Sequence, residues 1–236
     1  MNQEPGLLCL FLLTALLFFS CERDAPECKG NCETMNANGR VINNLTGTGA
    51  SGVPVKLSWS LGGGLPRGDR LVIQTVNSDG NGAFNFTSSI DTTYFSKDYH
   101  LSLYVGDNDE YMILGYAGVN SKPSYAFDQS AFQNVQLEVY KKANLKIRLH
   151  RTQSDNFTSF IISHSNVDNY FFVIDYNVQS PQEVIDKKQS ELNVNTVADV
   201  YTKIKVEKTF ADGTSKVTID SIKCTTNATS IYDVNF

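Results

Sequence analysis

The sequence predicts an all-β chain with two tandem antiparallel Greek-key β-sandwiches, immunoglobulin-like or transthyretin-like, and at most one short helix. Two observations predict this fold class. Apolar and polar residues alternate along many short runs, and turn-forming residues separate one run from the next. Short strands with one polar and one apolar face are typical of antiparallel sheets that pack in pairs.

The period-two alternation identifies the strands in order. In the first run, Val55, Leu57 and Trp59 point to one side, and the residues between them point to the other. The alternation recurs at residues 83–87, 99–105, 135–139 and 145–149, and shorter apolar runs follow at residues 160–162, 170–174, 200–206, 217–219 and 232–236. Turn residues at 77–80, 106–108 and 212–213 separate these runs.

One segment departs from the strand pattern. Ser180 suits a helix N-cap, Pro181 suits the first helical position, and Glu183 stands at the capping-box position. These residues predict a short helix that ends near Leu192. The alternative is a polar loop between two strands.

Composition divides the chain into four parts. Residues 22–37 contain Pro26, Gly30 and several charges without apolar periodicity, which predicts a tether. A domain boundary is expected between Tyr140 and Asn144, because one strand ends before it and Leu145 begins another. The predicted parts are a leader at residues 1–20, a tether at 21–37, a first sandwich at 38–141 and a second sandwich at 142–236.

The leader contains an uninterrupted apolar run from Leu7 to Phe19. As a helix it would span roughly 20 Å, less than the ~30 Å hydrocarbon core of a membrane, which favours a cleaved export signal over a membrane-spanning helix. The run ends in the sequence Leu-Phe-Phe-Ser-Cys at residues 17–21, which resembles the lipobox of bacterial lipoproteins. The alternative is a leader without lipid, or an uncleaved apolar tail.

The lipobox resemblance implies that Cys21 carries a diacylglyceryl group, that its new amino terminus carries an acyl chain such as palmitate, and that the membrane is a partner. Glu22 and Asp24 follow it and resemble the surface-export tag of Bacteroidetes lipoproteins. The resemblance implies an outer-membrane lipoprotein, facing either the periplasm or the outside.

A second resemblance rests on three ordered motifs. They are Gly39-Arg40-Val41, the run Gly-Val-Pro-Val-Lys-Leu at residues 52–57, and the run Ser-Asp-Gly-Asn-Gly-Ala-Phe-Asn-Phe at residues 78–86. Together they resemble the carboxypeptidase regulatory-like, transthyretin-like domain over residues 38–105. The resemblance implies a seven-stranded Greek-key sandwich of a kind that is usually a non-catalytic attachment. The end of the chain resembles the terminal β-domain of small Bacteroidetes lipoproteins.

The cysteines predict one disulfide. Besides Cys9 in the leader and Cys21, the chain has Cys28, Cys32 and Cys224, an odd number for an export compartment. A Cys28–Cys32 bridge is the simplest pairing. The alternatives are free thiols, or a bridge from Cys224 to one of the other two.

Charge and motifs exclude several functions. The net charge is −5, without a basic stripe, which argues against nucleic acid as a partner. The sequence has no nucleophile elbow, zinc-protease motif, phosphate-binding loop or dinucleotide fingerprint, so we expect no enzyme, metal or cofactor. His100, His150 and His164 are predicted to be solvated strand residues.

Three further features could bind a ligand. Arg67-Gly68-Asp69 follows a glycine-rich loop and resembles the integrin-recognition motif, although such a triplet also arises by chance. The acidic run at residues 107–110 favours a solvated turn over a calcium site. A sugar-stacking platform or a sandwich edge could be formed by five tyrosines, Tyr94, Tyr104, Tyr111, Tyr116 and Tyr125.

The leading functional hypothesis is a lipid-anchored, non-catalytic module of the cell envelope that binds or scaffolds a glycan, a host surface or a partner protein. The alternative is a pilus-type structural subunit that polymerises when a groove is filled by another chain's strand. An uncharacterised hydrolase is the third hypothesis.

Overall fold

A computed structural model describes residues 22–61, 70–97, 99–106, 108–114, 118–121, 129–150, 157–166, 173–178 and 190–235. Within these ranges the chain forms fifteen β-strands and two short 3-10 helices, at Thr92–Lys97 and Gln129–Phe132. The predicted all-β class is therefore confirmed. No helix in the described ranges has the length and apolarity needed to cross a membrane.

The strands are numbered in chain order. They are β1 Glu22–Asp24, β2 Cys32–Asn43, β3 Pro54–Leu61, β4 Arg70–Asn77, β5 Ala83–Asp91, β6 Tyr99–Val105, β7 Tyr111–Met112, β8 Gly118–Ser121, β9 Val135–His150, β10 Phe157–Ser165, β11 Val173–Val178, β12 Glu191–Val197, β13 Tyr201–Phe210, β14 Ser215–Lys223 and β15 Thr229–Asn235.

The chain divides into two compact units. The first consists of Met1–Asp107 and Ile113–Val139, and the second of Asn108–Met112 and Tyr140–Phe236. Strand β9 contributes residues 135–139 to the first unit and residues 140–150 to the second.

In the first unit, one sheet has the order β1-β4-β3-β6-β8, and the other has β5, β2 and the first part of β9. Alternate residues of these strands are buried between the sheets, as the period-two pattern requires. The fully buried side chains include Met35, Val41, Leu57, Trp59, Leu101, Leu103 and Phe132.

The predicted turn before β5 is held by an aspartate. Oδ1 of Asp79 accepts hydrogen bonds from the N–H groups of Asn81 and Ala83, both at 2.8 Å. Gly82 follows with φ of +78°, in the left-handed region that glycine enters without strain. A Cβ on Gly82 would also lie 2.2 Å from the carbonyl oxygen of Val41.

In the second unit, one sheet has the order β11-β10-β13-β14, and the other has β12, the second part of β9, and β15. The short strand β7 pairs with residues 140–141 of β9. The core between the sheets includes Leu145, Ile147, Phe157, Phe160, Ile162, Tyr176, Val194, Ile204 and Val234.

Both units follow the same seven-strand path. The first unit uses β2, β3, β4, β5, β6, β8 and β9, and the second uses β9, β10, β11, β12, β13, β14 and β15. In each unit the first strand lies between the fourth and the seventh in one sheet, and the other sheet has the order third, second, fifth, sixth. The first and seventh strands pair in parallel in both units, whereas the alternation predicted antiparallel sandwiches.

Two predictions need correction. Glu191 and Leu192, placed at the end of a helix, belong to β12, because residues 191–197 alternate and pair antiparallel with β9; residues 179–189 lie outside the described residues. The segment 22–37, predicted as a tether, contains β1 and the first six residues of β2, because its backbone pairs with β4 and β5.

Candidate functional site

The candidate site lies in the first unit, where the N-terminal segment, defined as residues 22–31, covers one side of the sandwich. Its strand β1 pairs in parallel with β4, placing Arg23 opposite Leu71 and Asp24 opposite Val72. The N–H of Ala25 then donates to the carbonyl oxygen of Val72 at 2.7 Å. β1 is an addition to the sheet edge, since the seven-strand path of this unit does not include it.

The N-terminal segment forms one wall of a cleft of about 460 Å³. The lining residues are Ala25, Pro26, Glu27 and Cys28 from the segment, Trp59 from β3, Ile73 and Gln74 from β4, and Thr87, Ser88, Ser89 and Asp91 from β5. The cleft therefore opens between the edges of the two sheets, and we call it the N-terminal cleft. Ser88 donates a hydrogen bond to Gln74 between the two edges.

Trp59 forms the apolar floor of the N-terminal cleft. Its ring stacks on Tyr94 with 5.5 Å between centroids, and Phe95 meets it edge-on at 4.8 Å. Trp59 gives the cleft an apolar base. Because Trp59 is only 1% exposed, the face of its ring is not open to a ligand.

A disulfide fixes the far end of the N-terminal segment. The sulfur atoms of Cys28 and Cys32 are bonded, and Cys32 is the first residue of β2. The carbonyl oxygen of Asn31 accepts hydrogen bonds from the N–H and the hydroxyl of Thr92, both at 3.0 Å. Residues 22–27, which include β1, therefore precede a covalent link to the start of β2. Cys224, by contrast, is a buried free thiol whose pKa is raised by burial.

Asp91 lines the N-terminal cleft as a carboxylate. The N–H and the hydroxyl of Thr93 both donate to its Oδ1, at 3.0 and 2.6 Å, and these hydrogen bonds lower the pKa of Asp91. The cleft thus combines hydroxyl, amide and carboxylate groups with an apolar floor. Such a lining can accept an extended peptide, since backbone N–H groups find acceptors there and small side chains find apolar contact.

The prediction of a solvated histidine is wrong for His164. Its side chain is buried, and its Nδ1 lies 2.9 and 2.8 Å from the two carboxylate oxygens of Asp175. The pairing of Ile162 with Tyr176 and of Ser163 with Ile174 leaves Asp175 as the extra residue of a β-bulge. His164 shares the inward face of β10 with Phe160 and Ile162, and this even spacing is the signal that could have identified it.

The buried pair does not form a catalytic centre among the described residues. A histidine acts as a general base when its second nitrogen meets a nucleophile. No described hydroxyl or thiol is hydrogen-bonded to the imidazole of His164, whose contacts go to Asp175. The other two histidines lie apart from it: His150 is exposed beside Asp233, and Nδ1 of His100 is buried without a hydrogen-bond partner in the described ranges.

The remaining predicted site residues are the lipidation site, the Arg-Gly-Asp triplet and the acidic run. Cys21 and Arg67-Gly68-Asp69 lie outside the described residues. In the acidic run, Oδ1 of Asn108 accepts from the backbone of Glu110, and the Glu110 carboxylate pairs with Lys141 at 2.7 Å. Nowhere in the described ranges do three side chains of the metal-ligating types cluster.

Two of the five tyrosines considered for a sugar platform already pack against other groups. Tyr94 stacks on Trp59 and has the ammonium of Lys97 4.9 Å from its ring centre. Tyr104 is 5% exposed, and the guanidinium of Arg70 lies 4.5 Å from its ring centre. Tyr104 is therefore buried in the sandwich, and the half-buried Tyr94 packs against its core. Tyr111 has the ammonium of Lys141 4.9 Å from its ring centre, and Tyr116 and Tyr125 lie outside the described residues.

No protein-family model and no curated protein sequence matches the chain. Among solved structures, the chain is similar to the shaft pilin SpaA of Lactobacillus rhamnosus GG, with 10% identity, a TM-score of 0.31, and coverage of 86% of this chain and 98% of the pilin. A minor pilin of Streptococcus agalactiae has 6% identity, a TM-score of 0.31, and coverage of 85% and 94%. The Bacillus anthracis TIE protein has 8% identity, a TM-score of 0.30, and coverage of 86% and 33%. These TM-scores are low, so no residue role is taken from them.

Proposed function

We propose that the chain is a non-catalytic structural subunit of the cell envelope, of the pilus type, whose copies assemble by exchanging their N-terminal strands. The observation that carries the proposal is that β1 lies outside the seven-strand path repeated in both units. The first sandwich is complete without β1. The strand can therefore leave its edge, and the same strand of a second copy can take its place.

The backbone pairing that holds β1 at the sheet edge is short. It is three residues long, and Ala25 adds one backbone hydrogen bond to β4. A backbone hydrogen bond contributes about 1 kcal/mol net, so the backbone pairing of β1 contributes a few kcal/mol. Exchange re-forms the same bonds in the second copy. The local concentration of copies therefore decides whether β1 pairs with its own β4 or with the β4 of another copy.

The hinge of the exchange is Cys28. Its disulfide to Cys32 keeps residues 28–32 at the start of β2, so only residues 22–27 can move. Six extended residues reach roughly 20 Å at ~3.3 Å per residue. The exchange therefore requires two copies in direct contact, as in a fibre or a membrane cluster.

Lipidation of Cys21 is part of the proposal. Cys21 directly precedes β1, so an acyl chain on its sulfur would place the edge of the first sandwich at the membrane surface. Release of β1 would lengthen the connection between the lipid and Cys28 by residues 22–27. In a bacterium with an outer membrane, labelled palmitate should enter the protein and should be lost in Cys21→Ser. Persistence of the label in that variant would refute the anchor.

Cysteine pairs across the β1–β4 register test the exchange. Asp24 lies opposite Val72, so copies with Asp24→Cys and copies with Val72→Cys, differently tagged and co-expressed, should form a covalent heterodimer on mild oxidation. Thr75→Cys replaces Val72→Cys as the control, because Thr75 is exposed on the same strand but three residues out of register. If the double variant Asp24→Cys/Val72→Cys cross-links only within single chains and mixed copies never cross-link, exchange does not occur.

A second candidate function is a lipid-anchored module that binds an extended segment of a partner protein in the N-terminal cleft. The observation that favours it is the polar rim of Gln74, Thr87 and Ser88 over the Trp59 floor. Substituting Thr87 by a bulky Arg should then abolish capture of the partner and leave the cross-linking of mixed copies unchanged. Loss of both together would assign the cleft to the exchange alone.

A further inference from the structure

We propose that β14 is a self-association edge, through which a second copy of this chain pairs antiparallel about a two-fold axis at Thr218. The pairing would join the four-stranded sheets of two second units into one continuous sheet. It goes beyond the N-terminal exchange, since it uses a different unit and a different edge.

The first argument is the exposure of β14. Among the described residues this nine-residue strand pairs with β13 alone, and all of its residues except Ile222 are exposed. Val217 is 48% exposed and Ile219 is 59% exposed, on the face of the sheet that does not contact the core. A long edge strand with apolar side chains is a template for pairing with another chain, and β14 contains no proline to prevent it.

The second argument is geometric. Residues along a strand direct their backbone groups alternately to one neighbour and to the other. When two identical strands pair antiparallel, residues that face each other must therefore belong to the same alternate set. The two-fold axis then passes through a residue and not between two residues, which leaves only a few registers for β14.

The third argument is charge complementarity, which selects one of these registers. With the axis at Thr218, Lys216 lies opposite Asp220 of the second copy, and Val217 lies opposite Ile219. Each pair occurs twice by symmetry, so the interface has two opposite-charge pairs and two pairs of apolar β-branched residues. An axis at Asp220 would instead place two carboxylates opposite each other, and axes at Val217 or Ile219 leave Lys216 without an acidic partner.

Asp220 can accept the second copy's lysine. One of its oxygens, Oδ2, accepts the Tyr232 hydroxyl at 3.0 Å, and the other accepts the backbone N–H of Ser221. A carboxylate has about four lone-pair positions, so an exposed Asp220 retains capacity for an ammonium group beside it.

Cysteine cross-linking of the full chain in detergent tests the register. Thr218→Cys places two sulfur atoms on the axis, where facing residues are about 5 Å apart and a disulfide can form. The matched control is Ser215→Cys on the same exposed strand, whose two copies would stand roughly 20 Å apart. We expect at least about ten-fold more covalent dimer from Thr218→Cys, because only this residue meets itself across the axis. Equal yields from the two variants would overturn the proposal.

Charge reversal in the Thr218→Cys background gives the second test. Lys216→Asp and Asp220→Lys should each reduce the dimer about ten-fold, because two attractive pairs become two repulsive ones. The two single variants mixed together should recover cross-linking, and so should the double variant within one chain. Circular dichroism of each variant checks that the fold persists. If folded single variants still dimerise, or if the mixture does not recover, the register at Thr218 is wrong.

Discussion

At the scale of single residues, Asp233 on β15 shows how parallel pairing with β9 lowers the pKa of a carboxyl group. Arg148 lies opposite it and donates two hydrogen bonds, of 2.8 and 2.7 Å, and His150 lies 2.6 Å away. The Arg148 hydrogen bonds, followed by that of His150, lower the pKa of Asp233 from 3.8 to about 2. Because the folded pKa is lowered, the ionised group favours folding above pH 3.8, and this contribution is lost as the pH falls toward 2.

The first prediction concerns that carboxyl. Arg148→Gln should raise the pKa of Asp233 toward its ordinary value, as followed by the carboxyl carbon shift in an NMR titration. Asp212 serves as the internal control, because its lowered pKa arises mainly from hydrogen bonds with Thr214 and should not change. An unchanged Asp233 pKa in the variant would mean that Arg148 does not hold the carboxylate in solution.

The second prediction concerns Tyr232 at alkaline pH. Burial, followed by the hydrogen bond to Asp220, raises its pKa from 10.0 to about 12. The protonated phenol therefore favours folding below pH 10, and this contribution is lost as the pH rises toward 12. The phenolate absorbance that disappears in Tyr232→Phe should titrate near pH 12. Asp220→Asn should shift that titration to lower pH, and no shift would leave burial as the whole cause.

The third prediction concerns the buried pair of His164 and Asp175. Their side chains are 6% and 9% exposed, so removing one partner leaves a polar group in the core without its counterpart. Asp175→Ala should lower the free energy of unfolding by about 3 kcal/mol, measured by urea denaturation. The exposed pair of Lys146 and Glu191 is the control, and Glu191→Ala should cost about 0–1 kcal/mol. Equal losses of unfolding free energy from the two substitutions would show that the buried pair stabilises the fold no more than the exposed pair does.

At the scale of elements, the turn into β5 depends on one glycine and not on its neighbour. Gly82 has a positive φ and a carbonyl oxygen 2.2 Å from where its Cβ would be, whereas a Cβ on Gly80 would meet nothing within 4 Å. Gly82→Ala should therefore lower the unfolding free energy by more than about 1 kcal/mol, while Gly80→Ala should leave it nearly unchanged. Thermal denaturation of both variants checks this, and comparable losses would contradict the turn geometry.

The sequence pattern predicted elements whose side chains alternate, and it missed elements held by their backbone. Strand β5 was predicted because Phe84 and Phe86 mark its buried face. Strand β1 was missed because Glu22, Arg23 and Asp24 have no apolar period, and only their backbone pairing with β4 makes a strand. Parallel pairing of β9 with β2 and β15 was missed for a related reason, since alternation is the same beside a parallel and an antiparallel neighbour.

The candidate site was harder to predict than the fold. The N-terminal cleft joins residues 25–28 to strands that are some 30 to 60 positions away, and no local pattern records that meeting. Trp59 was predicted as an inward residue, but its partners Tyr94 and Phe95 come from a 3-10 helix that follows β5. Sites of this kind depend on strand order, which becomes visible only when the sheets are assembled.

At the scale of the whole molecule, each unit has a core of its own, so we expect the two cores to respond separately to substitution. Trp59 is the single tryptophan of the chain and lies in the first unit, which makes its fluorescence a reporter for that unit alone. Ile147 is fully buried in the second unit. Ile147→Ala should cost about 2–5 kcal/mol there and lower the melting temperature of that unit by roughly 10 °C or more.

The reporter then separates the two units. Circular dichroism of Ile147→Ala should show one transition moved to lower temperature, while the midpoint from Trp59 fluorescence stays in place. Leu103→Ala, a fully buried residue of the first unit, is the reciprocal control and should move the fluorescence midpoint instead. Strand β9 contributes residues to both sandwiches, so a loss in one core could reach the other through this strand. A fluorescence midpoint that falls together with the circular dichroism transition in Ile147→Ala would show that the two sandwiches unfold as one cooperative unit.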